Sequence, residues 1–374
     1  MNEEEKIYFI ALGQIPGIGS FNAKQLISYC GGVEAIFKSK KQNLLKIPGV
    51  GPSVVNAIFT ADRNTIIKRA EKEIQFCEKK HIDIVAYHDH RYPTRLNQCK
   101  DAPYLLYVLG DADLNAKKML SIVGTRRATN YGKQMVEAFV EELAPKNVSI
   151  VSGLAYGIDS FAHKYALEQK LPTIGVLAHG LHTIYPSAHR SMAEKMVREN
   201  GALITEFKSE TKPDKQNFPS RNRIVAGMCD GTLVVESAEK GGALITAYIA
   251  DSYNRDVFAI PGKVNDKYSS GCNALIKKNV AAMVESGEDI IQLLGWDDTT
   301  IKAKPENKQR SLFVEMDEKE QIIYNCLERM NKSIHIDELN QNLELSNGTI
   351  FSSLLSLELK GMVTALPGNC YQLA

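Results

Sequence analysis

Apolar residues between about residue 82 and residue 298 fall into short runs that alternate with amphipathic segments. Seven runs predict β-strands, and they lie at residues 120–123, 149–151, 173–177, 203–206, 232–236, 257–260 and 281–284. A period near 3.6 predicts helices between them, at residues 133–143, 158–168, 190–199, 244–253 and 273–278. Because the strand runs are apolar throughout, we expect an α/β fold in which helices cover both faces of a doubly wound, mostly parallel sheet.

Residues 1–81 are helical in pattern and contain one short motif twice. The copies occupy residues 12–19 and 44–51, and each places Leu three residues before Ile-Pro-Gly and ends in a second glycine. This repeat is typical of a tandem helix-hairpin-helix unit in a SAM-like helical domain. Glycine allows such hairpins to turn sharply and to bring backbone N–H groups against a phosphate. The same turns can also serve only to hold four short helices together, and the sequence leaves both roles open.

The C-terminal part of the chain has a different pattern. Residues 299–311 are polar and predict a linker. Residues 312–374 predict a winged-helix domain, with three helices (318–329, one opening at 336, and 349–360) before a hairpin of residues 361–365 and 370–373. The third helix is expected to expose Ser352, Ser353, Ser356 and Glu358, and Lys360 is its only cation. A DNA-reading helix usually offers Arg, Lys, Asn or Gln, so this pattern favours a protein-docking or regulatory module.

Length and charge limit the possible classes of protein. The 374 residues are enough for two or three domains, which we predict at 1–81, 82–298 and 312–374. A net charge of +1 means that any nucleic acid must bind local basic patches. The seven cysteines are scattered, which fits a reducing compartment. The N-terminus has no signal-peptide pattern and no apolar run is long enough to span a membrane, so we expect a soluble cytoplasmic protein.

Small and polar residues follow most of the predicted strands. They are Gly124-Thr125-Arg126, Ser152-Gly153, His179-Gly180, Glu236 before Gly241-Gly242, and Pro261-Gly262. Glycine often ends strands for purely local reasons. Ligands of open parallel sheets, however, bind outside the carboxyl ends of the strands. We therefore expect these residues to line one continuous polar crevice.

A basic and aromatic segment follows the fourth predicted strand. Residues 218–223 read Phe-Pro-Ser-Arg-Asn-Arg, and Lys208, Lys212 and Lys215 lie just upstream. We interpret this segment as a loop that leads into an apolar helix at Ile224, with the ring of Phe218 projecting because the residue before a proline favours extended backbone. A stacking ring, guanidinium groups and a helix N-terminus suit single-stranded nucleic acid. The alternatives are a solvated basic loop and a Phe218 that anchors the core.

Several kinds of chemistry are not expected from the sequence. The turn after the predicted strand at residues 120–123 is not Gly-x-Gly-x-x-Gly, so we expect no dinucleotide cofactor. No Gly-x-x-x-x-Gly-Lys-Ser/Thr occurs in the sequence, so we expect no P-loop. The pairs His88/His90 and His179/His182 have no third ligand at a fitting spacing, so we expect no metal site. His163 lies on an apolar helix face and is predicted to be a packed core histidine. We predict no catalytic residue.

Several motifs, in order along the chain, resemble those of the DprA/Smf DNA-processing proteins. They lie at residues 121–126, 151–159, 218–227, 234–236 and 241–247, with further similarity at 89–93 and 102–107. The resemblance implies a Rossmann-like domain between the helix-hairpin-helix and winged-helix parts. It also implies a cytoplasmic bacterial protein that coats and protects incoming single-stranded DNA in natural transformation and loads the RecA recombinase onto it. A homodimer formed through the Rossmann-like domain is implied as well.

The resemblance also implies roles for particular residues at the DNA. Arg126 and Lys215 would contact phosphate, Phe218 would stack on a base, and Arg221, Asn222 and Arg223 would surround the strand. Gly153, Gly241 and Gly242 would permit close backbone approach, and Gly124 and Thr125 complete the predicted DNA-binding set. The pair Gly241-Gly242 replaces the Ser-Gly-Ser usual in the family, so no hydroxyl contact is expected at that turn.

Two other functions fit the sequence less well. Nucleotide phosphoribohydrolases have a related sheet and a Gly-Gly-x-Gly-Thr-x-x-Glu motif with a catalytic Glu. In this chain Leu244, Ile245 and Tyr248 occupy the positions of the third Gly, the Thr and the Glu, and no acid–base pair is evident. A transcription regulator acting through the winged helix is disfavoured by the shortage of cations on its third helix. The sequence therefore favours a DNA-binding protein that is not an enzyme.

Overall fold

The computed structural model describes residues 1–297, 316–330, 334–343, 345–366 and 370–373. The chain forms two compact units, Met1–Asp297 and Asp298–Ala374. The predicted linker at residues 299–311 lies outside the described residues. Within those residues, no helix combines the length and apolarity that crossing a membrane requires.

Six helices form the N-terminal part of the first unit. They are α1 (Glu3–Leu12), α2 (Ser20–Cys30), α3 (Val33–Lys38), α4 (Lys41–Leu44), α5 (Pro52–Thr60) and α6 (Arg63–Lys79). The repeated motif forms the turns between α1 and α2 and between α4 and α5. Gly17 and Gly49 have φ angles of +83° and +79°, which only glycine adopts easily. Gly19 and Gly51 are the N-caps of α2 and α5, so the tandem helix-hairpin-helix prediction is confirmed.

Nine strands follow in a single sheet. They are β1 (Ile82–Ala86), β2 (Leu105–Gly110), β3 (Met119–Val123), β4 (Ser149–Ser152), β5 (Thr173–Val176), β6 (Ala202–Thr205), β7 (Gly231–Val234), β8 (Asp256–Ala259) and β9 (Ala282–Met283). Their spatial order is β1-β2-β6-β5-β4-β3-β7-β8-β9. Neighbours from β6 to β9 are parallel, whereas β1 and β2 extend the β6 edge in antiparallel fashion. The doubly wound, mostly parallel sheet is therefore confirmed, and all seven predicted strands form.

Helices cover both faces of this sheet. They are α7 (Thr94–Asn97), α8 (Asn130–Leu143), α9 (Ile158–Glu168), α10 (Arg190–Arg198), α11 (Asn217–Gly227), α12 (Gly242–Ser252), α13 (Ser270–Lys277) and α14 (Gly287–Leu293). Alternate residues of β3 join different cores, because successive side chains of a strand point to opposite faces. Ile122 packs with Phe139 of α8 on one face, and Val123 packs with Ile224 of α11 on the other.

The N-terminal helices share a core with the edge of the sheet. Phe9 of α1 and Ile74 of α6 belong to the same buried cluster as Ile82 of β1 and Leu105 of β2. Burial of large apolar side chains stabilises such a junction by about 1.5–3 kcal/mol per side chain. The helical part and the sheet are therefore joined in one compact unit.

The second unit forms a winged helix. Its elements are α15 (Glu318–Met330), β10 (Ile334–His335), α16 (Ile336–Asn342), α17 (Asn347–Leu359), β11 (Val363–Leu366) and β12 (Cys370–Leu373), with strand order β10-β12-β11. This confirms the predicted order of helices and hairpin.

The exposed face of α17 differs from the prediction. Ser353 is buried, and the Ser356 hydroxyl donates to Glu320 Oε1 at 2.5 Å. Neither serine is therefore freely exposed, although both were predicted to be. Ser352 and Glu358 are exposed as predicted, and the exposed side chains also include Phe351, Leu355 and Leu359, which recur every four residues along one face of the helix. The prediction for Ser356 failed because Glu320 of α15, a tertiary partner 36 residues away in sequence, accepts a hydrogen bond from its hydroxyl.

Candidate nucleic-acid interface

A crevice of about 300 Å³ opens at the carboxyl ends of β3 and β7. The chain proceeds outward from β3 through β4, β5 and β6 and then returns to place β7 on the other side of β3. This reversal is the topological switch point at which open α/β sheets bind ligands. The residues after β3, the start of α11 and the start of α12 line the crevice.

The segment 218–223 is helical and does not form the loop that we predicted. Helix α11 begins at Asn217, so Phe218 and Pro219 lie in its first turn. A proline is tolerated there because the first N–H groups of a helix have no intrahelical acceptor. The helical period places Phe218, Arg221 and Asn222 on one face, which lines the crevice, whereas Arg223 lies on another face.

Arg221 is buried at the base of the crevice. Its side chain is almost fully shielded, with 4% of the residue exposed, and Nη1 donates to the carbonyl oxygen of Val176 at 2.9 Å. Its Nε has no hydrogen-bond partner among the described residues. A Cβ on Gly153 would lie 1.6 Å from Nη1, so the guanidinium occupies the space that any other side chain would need. Gly153 is thus required by a side chain of the protein itself.

Asp159 is the acidic residue beside Arg221. Its Oδ2 accepts hydrogen bonds from the N–H groups of Gly153 at 3.2 Å and Ala155 at 3.4 Å. Burial raises the pKa of Asp159, while the charge of Arg221 and these N–H donors act to lower it. Asp159 therefore fixes the turn after β4 and offsets the buried guanidinium charge. We assigned no role to it from sequence, although it stands in the motif at residues 151–159.

The ring of Phe218 lies among cations and a second aromatic ring. The Cζ atoms of Arg126 and Arg221 lie 4.9 Å and 6.0 Å from its centroid, distances at which a cation is attracted to a ring face. The Tyr185 ring centroid lies 6.5 Å away, and Tyr185 is 49% exposed. Arg126 is exposed, and its side chain forms no ion pair within the described residues. Phe218 is half-buried, so the ring is neither a core anchor nor fully solvated.

The structure gives a different local reason for glycine at each of the predicted positions. A Cβ on Gly124 would lie 2.4 Å from Ile158 Cγ1, and one on Gly241 would lie 2.2 Å from Ser237 Oγ, so both glycines are needed for internal packing. Gly242 has no atom within 4 Å of such a Cβ position and faces open space. It begins α12, whose N-terminus borders the crevice, and a helix N-terminus attracts anions.

The structure brings nine of the eleven predicted DNA-binding residues to this crevice. They are Gly124, Thr125, Arg126, Gly153, Phe218, Arg221, Asn222, Gly241 and Gly242. Lys215 is exposed in the segment before α11 and does not line the crevice. The guanidinium of Arg223 pairs with Glu206 and donates to the carbonyl oxygen of Asp101. DNA contact by Lys215 and Arg223 stays a prediction.

The crevice is lined by fewer of the residues after the strand ends than the sequence predicted. His179-Gly180 and Pro261-Gly262 lie outside it. Glu236 is buried and also lies outside, because both of its carboxylate oxygens accept hydrogen bonds from Thr129 at 2.5 and 2.9 Å. His163 is fully buried and bonded to Thr173 at 2.7 Å, and burial lowers its pKa to about 3, so the predicted core histidine is confirmed.

The described elements define a doubly wound α/β domain, preceded in the chain by a helix-hairpin-helix module and followed by a winged helix. Residues 83–295 match the family model for DNA recombination-mediator protein A, and residues 304–369 match the DprA winged helix domain. The chain therefore belongs to the DprA/Smf family, which confirms the resemblance seen in the sequence.

Relatives and solved structures agree with this assignment. The chain is 33% identical over 312 residues to Protein Smf of Escherichia coli, covering 82% of this chain and 81% of that protein. It is 42% identical over 214 residues to DNA processing protein DprA of Bacillus subtilis, covering 57% and 71%. The crystal structure of DprA from Streptococcus pneumoniae matches with a TM-score of 0.65 and 32% identity, covering 76% and 97%. A structure of Helicobacter pylori DNA processing protein A, described for its single-stranded DNA binding mode, matches with a TM-score of 0.52 and 28% identity, covering 58% and 96%.

Proposed function

We propose that this protein binds single-stranded DNA in the crevice at the ends of β3 and β7. The observation that carries the proposal is the grouping of Arg126, Phe218 and Arg221 beside the N-terminus of α12. The exposed guanidinium of Arg126 binds a phosphate, the ring of Phe218 stacks on a base, and the α12 N-terminus attracts the backbone. The buried Arg221, whose charge is offset by Asp159, lies beside the Phe218 ring at the base of the crevice and does not reach out of it.

Single strands suit this site better than duplexes do. Stacking on Phe218 or Tyr185 requires an unpaired base whose face is free, and bases in a duplex already stack on one another. The side chains that line the crevice offer a ring and cations, a combination that tolerates any base sequence. The single-stranded DNA binding mode described for the H. pylori relative supports the same ligand.

The family assignment supports a wider role in DNA processing. We propose that the protein acts in the cytoplasm, protects incoming single-stranded DNA during natural transformation and loads the RecA recombinase onto it as a homodimer formed through the Rossmann-like domain. Nuclease digestion of a labelled single strand tests protection, and RecA filament formation on strands coated with a single-strand-binding protein tests loading. Loading requires faster filament growth with the wild-type protein than with an Arg126→Gln variant, whereas equal rates argue against it.

The crevice offers little for hydrolysis of a nucleotide. Asp159 is the one acidic side chain that lines it within the described part of the chain, and its Oδ2 is engaged by backbone N–H groups. Glu236 is held by Thr129 outside the crevice. We therefore expect no turnover of nucleoside monophosphates or ATP. Steady turnover that survives repurification and is lost in Asp159→Asn or Glu236→Gln would favour the enzyme alternative.

A further inference from the structure

A second cavity, of about 610 Å³, lies where the N-terminal helices meet the sheet. One wall is α6, which contributes Arg69 and Lys72 from adjacent turns. The opposite wall is the segment after β6, which contributes Lys208 and Lys212, and His182 borders the cavity from the segment after β5. Basic side chains from three separate parts of the chain therefore converge on one cavity, and the site described above uses none of them.

A buried carboxylate holds these walls together. Glu73 of α6 is 6% exposed, and its two oxygens accept hydrogen bonds from the Ser209 N–H and hydroxyl, each at 2.6 Å. The N–H of Gly180 also donates to the carbonyl oxygen of Thr211 at 2.9 Å, which anchors the same segment. These bonds fix Lys208 and Lys212 opposite Arg69 and Lys72. The cations are thus positioned by the fold and do not come from a mobile tail.

The four cationic side chains have no partner in the part of the chain that the structure describes. Arg69, Lys72, Lys208 and Lys212 are exposed, and none of their side chains forms an ion pair or hydrogen bond within the described residues. Four cations face two acids in the lining, Glu73 and Glu210, and the carboxylate of Glu73 is already occupied by Ser209. A fixed excess of positive charge in a concave site attracts anions, and phosphate is an anion that both guanidinium and ammonium groups bind.

Two chain segments connect this cavity to the crevice. After β5, His182 borders the cavity, and three residues later Tyr185 contacts the ring of Phe218. After β6, Lys208 and Lys212 line the cavity, and the chain continues through the exposed Lys215 into α11. The segments that connect the two sites therefore carry a further cation and an exposed aromatic ring, the side-chain types that a single strand binds.

We infer that this cavity is a second phosphate-binding site for the DNA strand held in the crevice. Phosphodiester groups of a strand that leaves the crevice bind between Arg69 and Lys72 on one side and Lys208 and Lys212 on the other. The inference rests on the proposed function, because the strand must first occupy the crevice. It predicts that the cavity contributes to affinity only when the oligonucleotide is long enough to reach both sites.

The test uses the full chain, labelled oligo(dT) from about 4 to about 16 nucleotides, the range of common single-strand site sizes, and fluorescence anisotropy. The variant is Arg69→Gln with Lys72→Gln, and Lys208→Gln with Lys212→Gln provides an independent second pair. Lys277→Gln with Lys278→Gln is the control, since these exposed lysines at the end of α13 lie near the opposite edge of the sheet. All three variants lower the net charge by two, and none removes a side chain that is buried.

We expect both cavity variants to bind the shortest oligonucleotides like the wild type and to bind the longest more weakly. At 0.1 M salt the loss should be about fivefold per phosphate contact, because each contact changes log K by about 0.7 per tenfold change in salt. The control should bind every length like the wild type, and melting temperatures should not change. Wild-type affinity of both cavity variants at every length, with Arg126→Gln still weakened, would overturn this inference alone and would leave the cavity for another anion. If Arg126→Gln and both cavity variants all bind with wild-type affinity, the proposed function is overturned as well.

Discussion

The guanidinium of Arg221 lies against the backbone of Gly153, so that a Cβ at Gly153 would come within 1.6 Å of Arg221 Nη1. Gly153 follows β4 and Arg221 lies on α11, so this contact joins two walls of the crevice. Asp159 completes the arrangement by accepting the N–H of Gly153 and offsetting the charge of Arg221. Gly153, which the sequence suggested would let the backbone approach a ligand, thus makes room for a side chain of the protein itself.

The substitution Gly153→Ala should displace the Arg221 guanidinium from its position. The arginine would lose its hydrogen bond to Val176, and the free energy of unfolding should fall by about 1.5–3 kcal/mol, the usual value for a hydrogen bond to a charged group. Single-strand affinity should fall too, because the displaced guanidinium would no longer lie beside the Phe218 ring at the base of the crevice. Gly242→Ala is the matched control for stability alone, since nothing lies within 4 Å of its Cβ position. Thermal melts and anisotropy titrations check both, and a wild-type melting temperature and affinity in Gly153→Ala would contradict the assigned contact.

Arg126 and Arg223 should respond in opposite ways to the same substitution. Arg126→Gln removes an exposed side chain that is free of ion pairs in the described structure, so it should leave stability unchanged and reduce the salt dependence of binding by about 0.7 log unit per log unit of salt. Arg223→Gln leaves Glu206, whose side chain is only 14% exposed, without its partner and should cost about 3–5 kcal/mol of stability. Urea unfolding and salt-dependent titrations separate the two effects. A stable Arg223→Gln variant with weakened binding would instead place Arg223 on the DNA.

Phe218→Ala separates stacking from charge at the crevice. If the ring stacks on a base, the variant should lose about 1–3 kcal/mol of single-strand affinity with an unchanged salt slope. Because the ring is half-buried and contacts Tyr185, the melting temperature should fall only slightly. Phe218→Leu restores apolar bulk without an aromatic face, so it should recover stability and not affinity. Full affinity in a folded Phe218→Ala protein would exclude the stacking role.

The sheet was predictable because its central strands are buried on both faces. Runs such as residues 120–123 are apolar throughout, and this signal does not depend on distant partners. Strand β1 was not among the seven predicted strands, because its exposed Asp83 interrupts the run and the strand follows directly on the long helix α6. Strand β2 was anticipated only through the family resemblance at residues 102–107.

The site was predictable in composition and less so in geometry. The Phe218-Pro219 pair suggested extended backbone, but the first turn of a helix also accepts proline, and this choice decides which of the following residues face the crevice. The position of the Arg223 side chain depends on its pairing with Glu206. That of the Glu73 side chain depends on Ser209, 136 residues away in the sequence. Such pairings are tertiary contacts, and no local pattern reveals them.

The stability of the winged helix should depend on pH through Glu320. Hydrogen bonds from Lys360, Ser356 and the Asp317 N–H lower the pKa of this carboxylate from 4.5 to about 2. Since the folded-state pKa is lowered, the stabilisation is complete above about pH 4.5 and is lost as the pH falls toward 2. Circular dichroism melts of wild type and Glu320→Gln should differ at neutral pH and converge at acid pH. A difference that stays constant down to pH 2 would show that Glu320 acts only through packing.

The central claim is that the crevice at the ends of β3 and β7 binds single-stranded DNA. The most direct test titrates the full chain with a labelled single strand and with a duplex of the same length, from about 50 to about 200 mM salt, beside Arg126→Gln and Phe218→Ala. We predict tighter binding of the single strand at every salt concentration, a shallower salt slope only in Arg126→Gln, and weaker binding with the wild-type slope in Phe218→Ala. Equal affinity for duplex and single strand, or wild-type binding by both variants, would contradict this account.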